Sequence, residues 1–188
     1  MPGREDLPVE LVDEAGAAIG SCSVAEAHTA PGHTHRAFSV LLRDQAGRVL
    51  LQRRAAVKTR FAGRWSNTCC GHPGPGQDVA AAAARRLTAE MGLTPEHTTP
   101  LTEAGVLAYQ AADPVSGLVE REWDHVLVAT LTGGNPVPDP AEVSEYAWVS
   151  PAAVLAAIAS NPENYTPWLP GVLDAAAGAT AAAAPPQR

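Results

Sequence analysis

The chain contains 188 residues, of which 46% are hydrophobic and 18% are charged. This length and balance predict a soluble globular domain and exclude a wholly disordered chain. The formal net charge of −7 argues against a protein that binds nucleic acid through its overall field.

The cysteines and the N-terminus indicate the cellular setting. Three cysteines, two of them adjacent at positions 69 and 70, do not form the pattern of a disulfide framework. The first residues carry acids and no apolar run, so we expect no signal peptide. No segment approaches the roughly eighteen apolar residues of a membrane span. We therefore expect a cytoplasmic protein without a membrane partner.

Short strands and turns dominate the first third of the chain. Residues 1–8 are polar and predict a flexible N-terminus. Residues 10–13 predict a strand, and residues 26–36 form a polar, histidine-rich link. The apolar run 37–42, a turn and residues 48–53 predict a β-hairpin.

The helix from Asp78 to Met91 is the most clearly marked element. Asp78 is a favourable N-cap, and Gly92 is expected to end the helix in the left-handed conformation. The other expected elements are strands at about 104–111, 123–131 and 145–149, a helix from Pro151 to about Ala159 and a helix over 167–176.

This mixture of strands and helices has no internal repeat and no interdomain linker. It predicts a single α/β domain over residues 9–176. The alanine- and proline-rich residues 177–188 predict a disordered tail.

The segment from Arg64 to Gly74 concentrates reactive side chains around a glycine. Cys70 could be a buried, inert thiol, which is the commoner fate of a single cysteine. His72 and the basic stretch before it favour an activated thiol instead. Cys69 is then the structural member of the pair.

A second pattern combines imidazoles with carboxylates. Neutral imidazoles and carboxylates together suit Mn²⁺, Zn²⁺ or Fe²⁺ better than a site for Mg²⁺ or Ca²⁺ alone. Spacing by itself does not decide between a metal site and solvated loop histidines, nor between His33 and His35. The candidate ligands are His28, His33 or His35, His72, Glu120 and Glu122.

Basic residues are concentrated just before the cysteine loop and within the following helix. Five of the thirteen lysines and arginines fall in twelve residues, at positions 53, 54, 58, 60 and 64, which indicates an anionic ligand. Arg86 and Glu90, four apart, share a helix face. They form either a surface ion pair, stabilising by ~0.3–0.5 kcal/mol, or a unit in which Arg86 grips a diphosphate and Glu90 binds a divalent ion.

Six short stretches occur in a distinctive order: Ala27–Ala30, His35–Ser39, Arg53–Ala55, Trp65–Pro73, Glu120–Glu122 and Thr166–Trp168. With them the chain, from about Val9 to Trp168, resembles type I isopentenyl-diphosphate delta-isomerase of the Nudix superfamily. The segment 65–73 is the most specific of the six. The resemblance implies the Nudix fold, an α/β/α sandwich around a mixed central sheet.

The resemblance also implies a reaction, the interconversion of isopentenyl and dimethylallyl diphosphate. The alkene is protonated to a tertiary carbocation, and a proton is removed from the neighbouring carbon. The family's cysteine, glutamate and tyrosine correspond to Cys70, Glu122 and Tyr109. Its tryptophan corresponds to Trp168, whose π face would stabilise the cation. The implied partner is a small prenyl diphosphate, bound by a monomer or weak homodimer.

The metal and diphosphate sites of the family map onto further residues. The transition-metal ligands correspond to His28, His35, His72, Glu120 and Glu122, a set that selects His35 over His33 and would hold Mn²⁺ or Zn²⁺. A separate Mg²⁺ would bind Glu90 and the Cys70 carbonyl beside the diphosphate. The diphosphate-binding positions correspond to Arg54, Lys58 and Arg86.

Two departures qualify the resemblance. The family has a lysine four residues before its first ligand histidine, where this chain has Val24. One diphosphate contact is therefore missing, and Arg36 and Arg60 are candidates to replace it. This change motivates an alternative function, protonation-initiated chemistry such as cyclisation on a different or larger prenyl substrate.

The Nudix hydrolase box is the second departure. Read from Gly71, it has Gln77, Arg86 and Ala89 in place of glutamates and retains only Glu90. Diphosphate hydrolysis by that box needs several carboxylates to hold metal ions and activate water. We therefore expect no hydrolase activity, and the retained acid–base residues disfavour a purely binding protein.

Overall fold

The computed structural model describes residues 3–183, with side-chain environments through residue 179. The described residues form one mixed β-sheet of nine strands. The strands are β1 (Pro8–Val12), β2 (Ala18–Ser23), β3 (His35–Arg43), β4 (Val49–Arg54), β5 (Trp65–Ser66), β6 (Cys69–Gly71), β7 (Thr102–Ala112), β8 (Val119–Thr130) and β9 (Val143–Val149).

Four α-helices accompany the sheet within residues 3–183. They are α1 (Val24–His28), α2 (Val79–Met91), α3 (Pro151–Ser160) and α4 (Leu169–Ala183). Single turns of 3-10 helix occur at Arg4–Asp6, Pro95–His97 and Pro162–Asn164. None of the described helices combines the length and apolar character needed to cross a bilayer.

Strand β3 lies at the centre of the sheet. It pairs in parallel with β8, from His35 opposite Glu122 to Arg43 opposite Thr130. Its other edge is shared in succession by β1, β6 and β4, all antiparallel. Strand β7 extends the sheet beyond β8, and β9 extends it beyond β4. This pairing brings the starts of β3 and β8 together with the end of β6.

The two faces of the sheet are covered by different helices. Alternate side chains of β3 point to opposite faces, so Phe38 and Val40 pack with Leu87 of α2. Leu41 belongs to a separate core that includes Leu169 of α4. The predicted α/β/α sandwich is therefore confirmed as a single α/β domain.

The histidine-rich link predicted over 26–36 is partly wrong, because α1 occupies its first residues. Ser23 Oγ accepts a hydrogen bond from the Glu26 N–H (3.2 Å), and the Glu26 carboxylate accepts one from the Ser23 N–H (3.0 Å). This reciprocal capping box starts a short helix that ends at His28. The Ser-x-x-Glu spacing was visible in the sequence and was missed.

Regular structure extends into both ends that were predicted to be flexible. At the N-terminus, Arg4–Asp6 forms a helical turn and Pro8 begins β1. At the other end, α4 continues from Ala176 to Ala183, because alanine is the strongest helix former. Residues 1–2 and 184–188 lie outside the described residues, so the predicted disorder there is not addressed.

The predicted boundaries of α2 are confirmed. Asp78 Oδ1 accepts a hydrogen bond from the Ala81 N–H at 2.8 Å. Gly92 follows the helix with φ +66°, and a Cβ built there would lie 2.8 Å from the Val137 carbonyl oxygen. The glycine is therefore required both for its conformation and for the close approach of the neighbouring backbone.

We expect Gly92→Ala to destabilise the fold more than Gly47→Ala. Gly47 also has positive φ (+77°), but a Cβ there meets nothing within 4 Å. The strained conformation alone costs about 1 kcal/mol, and the carbonyl clash at Gly92 should add about 1–3 kcal/mol. Urea unfolding of the two variants measures the difference; equal losses would show that the Val137 contact imposes no constraint.

Candidate active site

Five side chains converge where the starts of β3 and β8 meet the end of β6. The end of α1 supplies one imidazole, β3 the second, and the residue after β6 the third, while β8 supplies two carboxylates. One donor atom from each side chain lies within 4.8 Å of every other. The five residues are His28, His35, His72, Glu120 and Glu122.

Backbone carbonyls fix the orientation of two of these imidazoles. His28 Nδ1 lies 2.7 Å from the Val24 carbonyl oxygen, and His35 Nδ1 lies 2.8 Å from that of His33. A carbonyl only accepts hydrogen bonds, so each Nδ1 carries the proton. In the neutral ring, Nε2 then presents a bare lone pair to the cluster.

These lone pairs meet carboxylate oxygens without forming hydrogen bonds. His28 Nε2 lies 2.8 Å from Glu120 Oε2, yet both atoms are buried and lack a hydrogen-bond partner in the described structure. His35 Nε2 is similarly unpartnered. The imidazole rings lie with centroids 4.7–5.1 Å apart. Three imidazolium rings this close would repel one another, whereas one divalent cation satisfies all the lone pairs, so the donor set fits a metal ion.

The electrostatics of the cluster also suit metal ligation. Burial lowers the pKa of His72 to about 4, so its imidazole is neutral at physiological pH. Burial raises the pKa of Glu122, but the adjacent His35 and His72 rings outweigh that effect and hold it well below the usual value. The cluster thus combines a neutral imidazole with an ionised carboxylate, the protonation states that bind metals.

The structure distinguishes His35 from His33, between which the sequence spacing did not decide. His35 is fully buried and faces the cluster. The His33 side chain is exposed, and only its backbone carbonyl contacts the His35 ring. His33 therefore orients a candidate ligand without joining the cluster.

The Cys70 thiol lies in the wall of a cavity of about 480 Å³. Its Sγ lies 3.2 Å from Asn67 Oδ1 and 3.7 Å from Ser39 Oγ. Burial raises the pKa of the thiol to about 12, so it is protonated at neutral pH and is not the activated thiolate that the basic stretch suggested. Sequence reasoning placed Asn67 in the motif but did not predict its contact with the thiol.

Asn67 forms hydrogen bonds that connect the cysteine loop to Trp168, near the start of α4. Its Oδ1 also accepts a hydrogen bond from Trp168 Nε1 at 3.1 Å. Its Nδ2 donates to the carbonyl oxygens of Val40 and Cys69, at 3.1 and 2.9 Å. With both ends of its amide bonded, Asn67 fixes the thiol and the indole relative to each other.

Aromatic rings form one wall of the same cavity. Trp168 packs against Tyr109 with ring centroids 5.7 Å apart and edge-to-face against Phe61 at 5.2 Å. Tyr109 Oη donates to Glu122 Oε2 at 2.6 Å. Burial and the neighbouring Glu122 charge raise the pKa of Tyr109 well above its usual value, so it remains a phenol.

A cluster of opposite charges occupies the other end of the cavity. Lys58 and Arg86 form ion pairs with Glu142, and Arg86 also pairs with buried Glu90. Burial raises the pKa of Glu142, but Lys58 and the neighbouring arginines lower it to about 2. Glu142 was missed because nothing around it in the sequence marks a site.

Arg54 lies between the charged and aromatic regions of the cavity. Its guanidinium donates to the Arg60 carbonyl oxygen at 2.9 and 3.2 Å, and its Cζ lies 5.8 Å from the Trp168 ring centroid. Arg54, Lys58 and Arg86, predicted to bind diphosphate, therefore line one cavity.

The two arginines suggested as substitutes for the missing lysine have other partners. Arg36 does not line the cavity and donates instead to Glu10 (2.6 Å) and the Gly16 carbonyl oxygen (2.8 Å). Arg60 lines the cavity, but its Nε donates to the candidate ligand Glu120 at 3.1 Å. Neither guanidinium is directed to the charge cluster around Glu142.

Asp124 is a further carboxyl that sequence reasoning missed. It is fully buried two residues beyond Glu122, and Ser39 Oγ donates to its Oδ2 at 2.7 Å. Burial and the Glu122 charge raise its pKa well above the usual value. The period of two along β8 could have found it, since it shares a face with Glu120 and Glu122.

Known proteins match this chain over most of its length. The NUDIX domain family model matches residues 33–169. The chain is 62% identical over 170 residues to isopentenyl-diphosphate Delta-isomerase of Nocardia farcinica, covering 90% of this chain and 94% of that protein. It is 51% identical over 172 residues to the protein of that name in Streptomyces griseus, covering 92% and 84%.

The fold has solved counterparts at low sequence identity. The crystal structure of DR0079 from Deinococcus radiodurans superposes with a TM-score of 0.70 at 18% identity, covering 89% of this chain and 97% of that one. That likeness concerns the fold alone, whereas the high identity to the curated relatives extends over most of the chain. The chain belongs to the isopentenyl-diphosphate Delta-isomerase family of the NUDIX superfamily.

Proposed function

We propose that the protein interconverts isopentenyl diphosphate and dimethylallyl diphosphate. The observation that carries this proposal is the cavity of about 480 Å³, whose lining combines a thiol, a carboxylate–phenol pair, aromatic rings and a group of cations. Family membership supports the same reaction, since the relatives described above bear the isomerase name.

The reaction needs one proton donor and one proton acceptor. A proton is added to the terminal alkene carbon, which leaves a tertiary carbocation at the branched carbon. Loss of a proton from the carbon on the other side then forms the new double bond. Cys70 and Glu122, the latter held by the Tyr109 hydroxyl, are the pair that exchanges these protons with the substrate.

The carbocation must be stabilised and kept from water. The Trp168 ring is held by its indole N–H bond to Asn67 and by edge-to-face packing against Phe61. A fixed π face stabilises a cation electrostatically, most strongly where water is excluded. The Trp168 ring and the Tyr109 ring, which is tilted by 30° from it, therefore form the wall against which the charged intermediate lies.

The diphosphate binds at the charged end of the cavity. Arg54, Lys58 and Arg86 supply the cations, and guanidinium groups match phosphate oxygens with paired hydrogen bonds. Mg²⁺, held by Glu90 and the Cys70 carbonyl, would neutralise part of the diphosphate charge. Holding the substrate by this end aligns its alkene with the acid–base pair.

A second divalent ion, Mn²⁺ or Zn²⁺, would be held by the three imidazoles together with Glu120 and Glu122. When bound, such an ion would neutralise the buried carboxylates and fix the Glu122 side chain beside the substrate. The unpartnered Nε2 atoms of His28 and His35 support this assignment.

The other readings receive less support. None of the relatives described bears a cyclase name, so protonation-initiated cyclisation of a larger prenyl substrate has no support from the comparisons. Helix α2 presents Arg86 and Ala89 where diphosphate hydrolysis would need carboxylates.

Cytoplasmic location and a monomeric or weakly dimeric state stay predictions.

Incubation with isopentenyl diphosphate, Mg²⁺ and Mn²⁺ tests the proposal. We expect dimethylallyl diphosphate as the product, without phosphate release. Phosphate or pyrophosphate release without dimethylallyl product would indicate a hydrolase instead.

We expect Cys70→Ala to lower kcat by about a hundredfold or more, because it removes one of the two proton-transfer groups. Cys22→Ala is the matched control, since Cys22 lies on β2 outside the cavity. Steady-state formation of dimethylallyl diphosphate measures both, with circular dichroism to verify folding. Near-normal turnover of Cys70→Ala would remove the thiol from the mechanism.

The metal assignment predicts different effects for two neighbouring histidines. His35→Asn should lose most of the bound transition metal, because it removes a buried ligand nitrogen. His33→Asn should retain it, since the carbonyl that contacts His35 belongs to the backbone. The metal content of the purified proteins, measured by mass spectrometry, tests this. A wild-type metal content in His35→Asn would exclude His35 as a ligand.

A further inference from the structure

At the position where the family has a lysine, this chain places an apolar side chain in the wall of the cavity. Val24, the first residue of α1, is 4% exposed and lines the cavity. Helix α1 therefore contributes no cation from this position. The substitutes considered from the sequence are engaged elsewhere, Arg36 outside the cavity and Arg60 with Glu120.

Another arginine reaches the charge cluster from the N-terminal turn. Arg4 Nη1 donates to both carboxylate oxygens of Glu142, at 2.7 and 2.8 Å. Lys58 and Arg86 pair with the same carboxylate, and Arg4 Nη2 lies 3.7 Å from Glu90. Arg4 thus belongs to the same charge cluster as two of the predicted diphosphate ligands.

The backbone of Val24 itself helps to hold this arginine. The Val24 N–H donates to the Leu7 carbonyl oxygen at 2.9 Å, which fixes the N-terminal segment to the start of α1. Glu5 accepts hydrogen bonds from Arg60 Nη1 at 3.1 and 3.2 Å and from Thr59 Oγ1 at 3.1 Å. The turn that carries Arg4 is therefore attached to two walls of the cavity.

We propose that Arg4 is a substrate-binding residue that supplies the diphosphate cation absent at Val24. Its guanidinium has five N–H donors, and the hydrogen bonds to Glu142 come from Nη1 alone. The remaining donors are available to phosphate oxygens in the paired geometry that suits a guanidinium. This inference rests on the proposed diphosphate substrate.

Arg4→Gln tests the proposal, because it keeps a polar side chain and removes the charge. We expect KM for isopentenyl diphosphate to rise about tenfold with little change in kcat, as for a contact made equally in ground and transition states. Affinity for inorganic pyrophosphate with Mg²⁺, measured by calorimetry, should fall by a similar factor. Both effects should shrink at high salt.

Arg48→Gln is the matched control. Arg48 is also an exposed arginine that pairs with a carboxylate, that of Asp44, but it lies in the β3–β4 turn away from the cavity. Its KM and pyrophosphate affinity should match those of the wild type. Equal losses in both variants would mean that Arg4 acts only through overall charge, which would overturn the proposal.

Val24→Lys in the Arg4→Gln background provides the decisive rescue. A lysine returned to α1 should recover most of the lost pyrophosphate affinity if the two positions serve one diphosphate. Unchanged KM and pyrophosphate affinity in Arg4→Gln, or a loss that Val24→Lys leaves uncorrected, would overturn the assignment. If the wild type binds pyrophosphate but forms no dimethylallyl product, the proposed function is refuted, whereas diphosphate binding by Arg4 is not.

Discussion

The parallel pairing of β3 with β8 is the contact on which the candidate active site depends. It sets His35 directly opposite Glu122 and directs both toward the ends of α1 and β6. The resulting contact of bare imidazole lone pairs with carboxylate oxygens is unfavourable without a cation, because both groups accept hydrogen bonds. Metal binding and correct strand register are therefore expected to reinforce each other.

The cysteine loop connects this cluster to the substrate cavity. His72 belongs to the cluster, whereas Cys70, two residues earlier, faces the cavity beside the aromatic wall. Asn67 fixes both the thiol and the Trp168 indole through one amide oxygen. A short segment thus positions the candidate metal ligands, the proposed acid–base pair and the Trp168 ring. Glu142 pairs with Arg4, Lys58 and Arg86 at the charged end of the cavity.

Much of this arrangement followed from sequence, but long-range contacts did not. Helix α2 was predicted with its caps, because Asp78 and Gly92 act locally. Spacing alone could not choose between His33 and His35; the resemblance favoured His35, and the backbone geometry buries His35 in the cluster. The contact between Arg4 and Glu142 was not predictable, because the two residues lie 138 positions apart in the sequence. The last helix was predicted too short because its alanines resembled a low-complexity tail.

Solvent isotope incorporation tests the central claim, that this cavity protonates an alkene and deprotonates the resulting cation. The reaction is run on isopentenyl diphosphate in D₂O with Mg²⁺ and Mn²⁺, and the product is followed by NMR. The protein's acid exchanges its proton with solvent, so dimethylallyl diphosphate should carry one deuteron in a methyl group. Dimethylallyl diphosphate formed without deuterium, or no such product, would contradict the account.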